Sequence, residues 1–378
     1  MELPVVEQAG GPAAGPPLVG RTRAELEALA VELGQPAYRG RQVARWLYAR
    51  GVRSVEEMTD LPAAFRARLA EAAPVGRSEI VRRQASRDGT VKVLLRYPDE
   101  REIETVVLPY PDRVSVCISS QVGCPVGCVF CATATMGFGR NLTPGELLDQ
   151  VLTAREEAPG GRLTHVVVMG MGEPLLNYES LVKALRLMHE EVGLSYRHLT
   201  VSTSGHVPGI RRLAEEGLPV TLALSLHAPN DPLRAELIPL SRKWGIDDVM
   251  GAVRDYQERT GRRVTLEYLL LARVNDEPEH AEQLARLCRG MITHVNLIPW
   301  NPADTFTRFE APSGARVRAF RSILEGHGVT VTQRVERGQD IAAACGQLAV
   351  KARREGGEEI AVAPRTFEDV SPALAESP

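Results

Sequence analysis

The nonapeptide Gly123-Cys124-Pro125-Val126-Gly127-Cys128-Val129-Phe130-Cys131 sets three thiols at the spacing C-x3-C-x2-C, just after a short apolar run at 114–118. The chain has 378 residues and six cysteines, at 117, 124, 128, 131, 288 and 345, so four of the six fall in one patch. A disulfide scaffold is a poor explanation, because such scaffolds are short, secreted and rich in cysteine throughout. The first residues, MELPVVEQAGGPAAGPP, have neither the basic start nor the apolar core of a signal peptide. No run of about 18 apolar residues is present to span a membrane. The expectation is a cytoplasmic protein in a reducing compartment, where clustered thiols bind metal or do redox work. Soft thiolates select zinc or iron–sulfur clusters. Structural zinc wants four closed ligands, and there is no second C-x2-C knuckle and no nearby histidine. A zinc site completed by the distant Cys345 or by a carboxylate stays open as one reading. The other is a four-iron cluster held by Cys124, Cys128 and Cys131, with one iron left free for a ligand.

Working outward from the patch, apolar runs at 114–118, 165–169, 199–202, 220–226, 264–271, 294–298 and 329–332 alternate with amphipathic stretches at 144–157, 178–192, 207–216, 246–260 and 278–289. Strand–helix alternation on this scale means βαβ units around a parallel sheet. A full or partial (β/α) barrel accommodates six or more units; a doubly wound open sheet is the competing layout. Upstream, residues 22–73 carry helical periodicity, opening with Thr22 as a cap and Glu25 three positions on, while 78–110 alternate as strands. The resulting plan is a disordered 1–18, a helical domain at 19–75, a β extension at 76–110, a core at 111–351 and a flexible tail at 352–378. No short internal repeat is seen. The formal net charge of −3 provides no global attraction to nucleic acid. Locally, 36–53 holds five arginines and no acid, interleaved with Tyr38, Trp46 and Tyr48, a pattern that grips phosphate and stacks bases or else forms a basic helix face over a core tryptophan.

Gly170-Met171-Gly172-Glu173-Pro174 follows the second run of the core. Glycine there lets backbone approach a ligand closely, and Glu173 adds an acceptor for an ammonium group; a plain left-handed turn with a solvated glutamate fits the same residues. Ser202 and Ser225-Leu226-His227 end later strands, where barrels place their contacts, although a lone histidine also reads as structural. Unaided, Cys117 and Cys345 read as buried core thiols, as does Cys288 on its amphipathic helix, and Glu104 reads as a solvent-facing residue of an alternating strand.

The ordered motifs change several of these assignments. Besides the cysteine triplet they comprise Cys117-Ile118-Ser119-Ser120-Gln121-Val122-Gly123-Cys124, Gly139-Arg140-Asn141-Leu142-Thr143, Met169-Gly170-Met171-Gly172-Glu173-Pro174-Leu175, Ser202-Thr203-Ser204-Gly205, Ser225-Leu226-His227-Ala228-Pro229-Asn230-Asp231, Ile298-Pro299-Trp300-Asn301-Pro302 and Ala344-Cys345-Gly346-Gln347-Leu348. Together the chain resembles the RlmN-type dual-specificity RNA adenine methyltransferases of the radical S-adenosylmethionine (SAM) superfamily. The resemblance implies an α/β fold, a partial (β/α)6 TIM-like barrel with a small helical N-terminal domain. It implies a [4Fe-4S] cluster on Cys124, Cys128 and Cys131, and SAM contacts from Gly172, Glu173, Ser202, Ser225, Leu226, His227 and Asn301. It further implies that Cys345 is methylated by one SAM, that a second SAM yields a radical on that methyl group, that Cys117 resolves the RNA adduct as a transient disulfide with Cys345, and that Glu104 accepts the proton. The implied substrates are carbon 2 of adenosine 2503 in 23S rRNA and of adenosine 37 in tRNA, with a flavodoxin-type electron donor, a monomeric enzyme and no membrane. The chemistry is coherent: an amidine carbon is electrophilic, so it takes a carbon radical and refuses a cationic methyl donor. A Cfr-type carbon-8 methyltransferase and a non-catalytic, metal-bearing RNA-binding protein are the alternatives.

Overall fold

The computed structural model describes residues 15–300, 309–335 and 337–348, and the chain divides into two compact units, Met1–Arg77 and Ser78–Pro378. In the first, α1 (Arg23–Glu32) begins with a capping box: the Thr22 hydroxyl accepts from the Glu25 N–H at 3.2 Å while the Thr22 N–H donates back to the Glu25 carboxylate at 2.6 Å. Two of the four orphan donors of the helix start are thereby satisfied. α2 (Tyr38–Ala44) runs on through a π-helical turn, Arg45–Arg50, and stops at Gly51 in the left-handed conformation. A Cβ at Gly40 would lie 2.4 Å from the Glu27 backbone, so this glycine lets α1 and α2 cross in contact. α3 (Ala63–Ala72) buries Phe65 and Leu69. Trp46 and Tyr48 are buried as well, and the Tyr48 hydroxyl donates to the Arg21 carbonyl. Of the three aromatics expected to stack bases, only Tyr38 is exposed; the apolar bodies of the other two make the core of this unit. Leu18 is also fully buried, its N–H bonded to the Pro74 carbonyl.

The second unit opens with an antiparallel meander, β1 (Glu79–Ala85), β2 (Val91–Arg96) and β3 (Glu102–Pro109), whose last strand pairs antiparallel with β4 (Val114–Cys117). A hairpin of β5 (Gln121–Gly123) and β6 (Phe138–Asn141) brackets the cysteine loop. Six crossovers follow. α4 (Pro144–Glu157) leads to β7 (His165–Val168), α5 (Tyr178–Glu190) to β8 (Leu199–Thr203), and α6 (Val207–Glu215) to β9 (Thr221–Ser225). α7 (Asp231–Leu237) and α8 (Ile246–Thr260) lead to β10 (Val264–Leu270), α9 (Pro278–Leu287) to β11 (Thr293–Pro299), and α10 (Gly314–Gly326) to β12 (Thr330–Gln333). The sheet order is β1-β2-β3-β4-β7-β8-β9-β10-β11-β12, parallel from β4 onward.

This order is sequential. A doubly wound sheet reverses direction at a switch point, so that layout is ruled out. The sheet is also curled. Residues at the ends of β4, β7, β11 and β12 line one pocket, although β4 and β11 stand five strand spacings apart in the sheet. Laid flat, five spacings would separate them by roughly 24 Å. Among the described residues β12 pairs only with β11, so the curl is an unclosed barrel. The strands from β7 to β11 read as near-continuous apolar runs because helices cover their outer face. No helix of the described residues is long and apolar enough to cross a membrane.

Candidate active site

Cys124, Cys128 and Cys131 lie half-buried on the loop between β5 and β6, packed against one apolar cluster that includes Val126, Phe130, Leu237, Leu240 and Trp300. The loop turns through Gly123 and Gly127, both at positive φ, and a Cβ at Gly123 would fall 1.9 Å from the Gly137 carbonyl oxygen. Burial pushes all three thiols up; Cys131 and Cys124 raise Cys128 further, and Cys131 adds to the rise at Cys124. Among the described residues no group of three His, Cys, Asp or Glu side chains converges as a single metal ion requires. A four-iron cluster holds its thiolates apart at its corners, and an apolar shelter of this kind is what governs its potential. Three free thiols packed on one apolar cluster therefore fit an iron–sulfur cluster better than a zinc ion.

Glu173, after β7, is 3% exposed. Its Oε2 accepts from the Ser204 N–H at 2.7 Å and the Ser204 hydroxyl at 2.8 Å, and its Oε1 accepts from the Leu175 N–H at 3.1 Å. Burial raises its pKa against these bonds, and its charge reaches Cys124 and Cys128. No described lysine or arginine pairs with it. A buried carboxylate lacking a cation, beside the cysteine loop, fits an incoming ammonium group. Gly172 takes φ +103°, and a Cβ there would lie 2.6 to 2.7 Å from Ser120 and Gln121. Sequence reasoning assigned that glycine to a ligand's approach; the close approach is to the chain's own segment after β4. Gln121 completes the join, its side-chain Oε1 accepting from the Glu173 N–H at 2.8 Å.

Ser202 and Ser225 meet across adjacent strands, hydroxyl to hydroxyl, at 3.4 Å. Leu226 is fully buried; its N–H donates to the Glu267 carbonyl and its own carbonyl accepts from Arg234, so both backbone groups serve the fold. His227 sits at φ +56°, rare for a residue with a side chain, with its ring edge-on to Phe130 at 4.9 Å. Its Nδ1 accepts from the Leu269 N–H at 3.0 Å, which leaves the proton on Nε2, and burial lowers its pKa to about 3. Asn301 lies outside the described residues.

The third cluster is the pocket. Cys117 from β4 and Cys345 from the loop after β12 both line it, with Met169, Gly170, Thr133, Tyr110, Arg334 and Arg337 among its walls. Burial pushes Cys117 up to about 12; Arg334 opposes that. Arg334 itself is held charged, chiefly by Cys345 and then by Glu267. The Cys345 loop is tied to the cysteine loop by Ala132 N–H to the Gly346 carbonyl at 2.7 Å and by the Thr133 hydroxyl to the Leu348 carbonyl at 2.7 Å. Glu104 is buried, not solvent-facing, and pairs with Lys92 at 2.9 Å; Lys92 also donates to the Ala342 carbonyl at 3.1 Å, three residues before Cys345. Cys288 is buried on α9, as expected of a packing residue. Sequence reasoning missed Lys92, Ser204, Arg234 and Arg334. Ser204 stood inside a motif read for Ser202, whereas Lys92 on β2, Arg234 on α7 and Arg334 just after β12 carried no local signal.

A family model described as the radical SAM superfamily matches residues 118–285, and one described as the ribosomal RNA large subunit methyltransferase N-terminal domain matches residues 17–75. A relative from Gloeobacter violaceus, "Probable dual-specificity RNA methyltransferase RlmN", is 52% identical over 333 residues, covering 88% of this chain and 94% of the relative. A protein of the same name from Symbiobacterium thermophilum is 48% identical over 343 residues, covering 90% and 92%. The crystal structure of a radical SAM methyltransferase from Sphaerobacter thermophilus is 49% identical with a TM-score of 0.86, covering 88% of this chain and 99% of that one.

Proposed function

Because the chain belongs to the RlmN family of radical SAM RNA methyltransferases, which work with a [4Fe-4S] cluster and SAM, we propose that it methylates carbon 2 of adenosine 2503 in 23S rRNA and of adenosine 37 in tRNA. The observation that carries this reading is the pocket that holds Cys117 and Cys345 together beside the loop of Cys124, Cys128 and Cys131. A binding module needs neither of the two additional thiols.

In this reading Cys124, Cys128 and Cys131 hold the cluster, Glu173 takes the amino group of SAM, and Gly172, Ser202, Ser225, Leu226, His227 and Asn301 shape the rest of its site. The bound groups supply a methyl cation equivalent and a one-electron cleavage. Cys345 accepts the methyl on sulfur and presents it to the adenine. Arg334 lines the same pocket and opposes the burial that raises the Cys117 thiol. Glu104, paired with Lys92, takes the proton from the ring carbon. The Cys117 thiolate attacks the Cys345 sulfur, the sulfur–methylene bond breaks with its electron pair passing to the base carbon, which takes up a proton, and the Cys117–Cys345 disulfide is left for the electron donor to reduce. The high pKa of Cys117 suits a thiol that stays inert until its turn. The target base must leave its stack to reach the pocket. The helical unit engages RNA, a flavodoxin-type donor supplies electrons in a reducing cytoplasm, and the enzyme acts as a monomer.

Anaerobically reconstituted Cys345→Ala tests the reading. It should retain iron, sulfide and cluster absorbance, yet form no methylated cysteine and no 2-methyladenosine. Persistence of 2-methyladenosine at both RNA sites in a strain lacking the gene overturns the proposal. A product of 8-methyladenosine would move the enzyme to the Cfr type, and a colourless zinc protein would make it a metal-bearing RNA-binding protein.

A further inference from the structure

Among the described residues two cations are buried, Lys92 and Arg234. Lys92 has Glu104. Arg234, on α7, is 0% exposed and forms no ion pair with any described carboxylate. Its contacts are all with carbonyls: Nε donates to Leu226 at 3.2 Å, and Nη2 donates to Ser204 at 2.6 Å and to Ser225 at 3.5 Å. Nη1 is buried with no partner. The protein makes room for this group: a Cβ at Gly205 would lie 2.9 Å from Nη2, and Gly205 takes φ +104°.

Isolated charges are not normally buried in this way. Removing a cation from water costs several kcal/mol even after relaxation, and carbonyl dipoles return only part of it. Some anion must balance Arg234. The placement of α7 says which one. Its last residue, Leu237, accepts at its carbonyl from the Val129 N–H at 3.1 Å, inside the cysteine loop. Leu233 and Leu237 pack in the same apolar cluster as Cys124, Cys128 and Cys131, and Pro239 lies against Gly127. The helix that carries Arg234 is thus the back wall of that loop. As thiols, the three cysteines offer no charge; as ligands of a cluster they are thiolates in a body of net negative charge.

We propose that Arg234 is the protein's internal counter-ion to the cluster: a fixed positive charge, buried behind the Cys128 side of the loop, that strengthens cluster retention and raises its reduction potential. The inference rests on the reading that these cysteines hold a cluster, and it assigns no contact to SAM or RNA, so Arg234 is a positioning residue. Burial lowers the Arg234 pKa to about 10; the carboxylate that opposes this, Asp231 on the same helix, is exposed and forms no ion pair with it. The sign of the redox effect follows from charge. One-electron reduction adds a negative charge to the cluster, and a nearby cation stabilises the reduced form more than the oxidised one.

Two variants separate charge from hydrogen bonding. Arg234→Gln keeps amide donors and loses the charge; Arg234→Lys keeps the charge and loses the planar fork. Both are reconstituted as the full chain, without SAM, and read by iron and sulfide content, by iron release to a chelator and by a redox titration followed by electron paramagnetic resonance. Arg234→Gln should load iron, release it several-fold faster than wild type and show a lower midpoint. Arg234→Lys should keep a midpoint close to wild type even though its melting temperature falls. Equal midpoints in wild type and Arg234→Gln overturn the proposal, as do equal shifts in the two variants. If Arg234→Gln does not fold, Arg234→Lys decides alone: an unshifted midpoint supports the proposal and a lowered one overturns it. A wild-type protein that loads four irons yet methylates no RNA would sink the functional reading and leave this comparison standing.

Discussion

Replacing Lys92 with methionine removes one half of a buried ion pair whose side chains are 8% and 9% exposed. Methionine fills most of the lysine's volume, so the perturbation is chiefly electrostatic. Stripping the cation from a buried pair destabilises by about 3–5 kcal/mol, while replacing both members with apolar groups is often neutral. The Ala342 carbonyl also loses its 3.1 Å bond, at a position held at φ +49°, so the Cys345 loop loosens. For a unit of this size about 4 kcal/mol corresponds to a fall in melting temperature on the order of 10 °C. The double variant Lys92→Met/Glu104→Leu should recover most of that loss, because no carboxylate is left without its cation. In chemistry the single variant should also slow proton removal, because Glu104 loses the partner that fixes it in place; the adduct between Cys345 and RNA persists, and denaturing gels show the covalent species. Thermal melts of the wild type, the two single variants and the double variant form the cycle that checks the stability argument. A loss below about 1 kcal/mol for Lys92→Met, or a double variant no more stable than it, would refute the reasoning about the pair. An adduct that resolves at the wild-type rate at neutral pH would remove Glu104 from the base role.

Gly172→Ala combines a forbidden φ with a Cβ 2.6 Å from Ser120 Oγ and 2.7 Å from the Gln121 backbone. It should destabilise by several kcal/mol, whereas Gly160→Ala, with nothing within 4 Å, should cost only about 1 kcal/mol; chemical denaturation of both checks the contrast. His227 has its pKa depressed to about 3 from 6.5, so the folded protein binds fewer protons than the unfolded chain within that window. Stability should therefore fall as pH drops from about 6.5 toward 3, and His227→Gln should flatten that slope in denaturant melts at pH 7 and 4.5; an unchanged slope would exclude His227 as its source. Cys117 at about 12 should resist iodoacetamide at pH 7.5 and label faster as the pH rises above 9, and Arg334→Leu should slow it further; mass spectrometry of the labelled peptide reads both.

Much of the barrel was legible because its strands are apolar runs between well-marked helices. α4 begins at Thr143-Pro144 with Glu146 closing the cap, and its bounds match the expected 144–157. α8 likewise runs between Gly245 and Gly261 over the expected span. Other elements left no such trace. β5 is three residues long and is defined by its pairing with β6 rather than by periodicity. α7 has only seven residues and begins where the quoted motif ends, at Asp231. α10 follows residues 301–308, where no helical signal prepares for it. At the site, the cysteine spacing was readable, but Arg234 looked like any surface arginine, and nothing local says that its surroundings are dry. Trp46 and Tyr48 show the converse: the interleaving with arginine was real, yet amphipathic side chains bury their apolar bodies first. Whether an aromatic faces solvent is decided by its packing partners, which composition does not carry.

The loop that bears Cys345 folds on itself through short-range bonds, but what holds it against the rest of the unit comes from far away in the sequence. The Gly338 N–H donates to Asp88 at 3.0 Å, the Arg87 N–H to Asp340 at 3.3 Å, Lys92 to the Ala342 carbonyl, and the Thr133 hydroxyl to Leu348, each across more than 200 residues. During synthesis every one of these anchors leaves the ribosome long before the loop they hold. The sheet and the cysteine loop can settle first, and the reactive thiol is fitted last, against finished surfaces. A chain cut short before Cys345 would have its anchors in place and nothing to transfer.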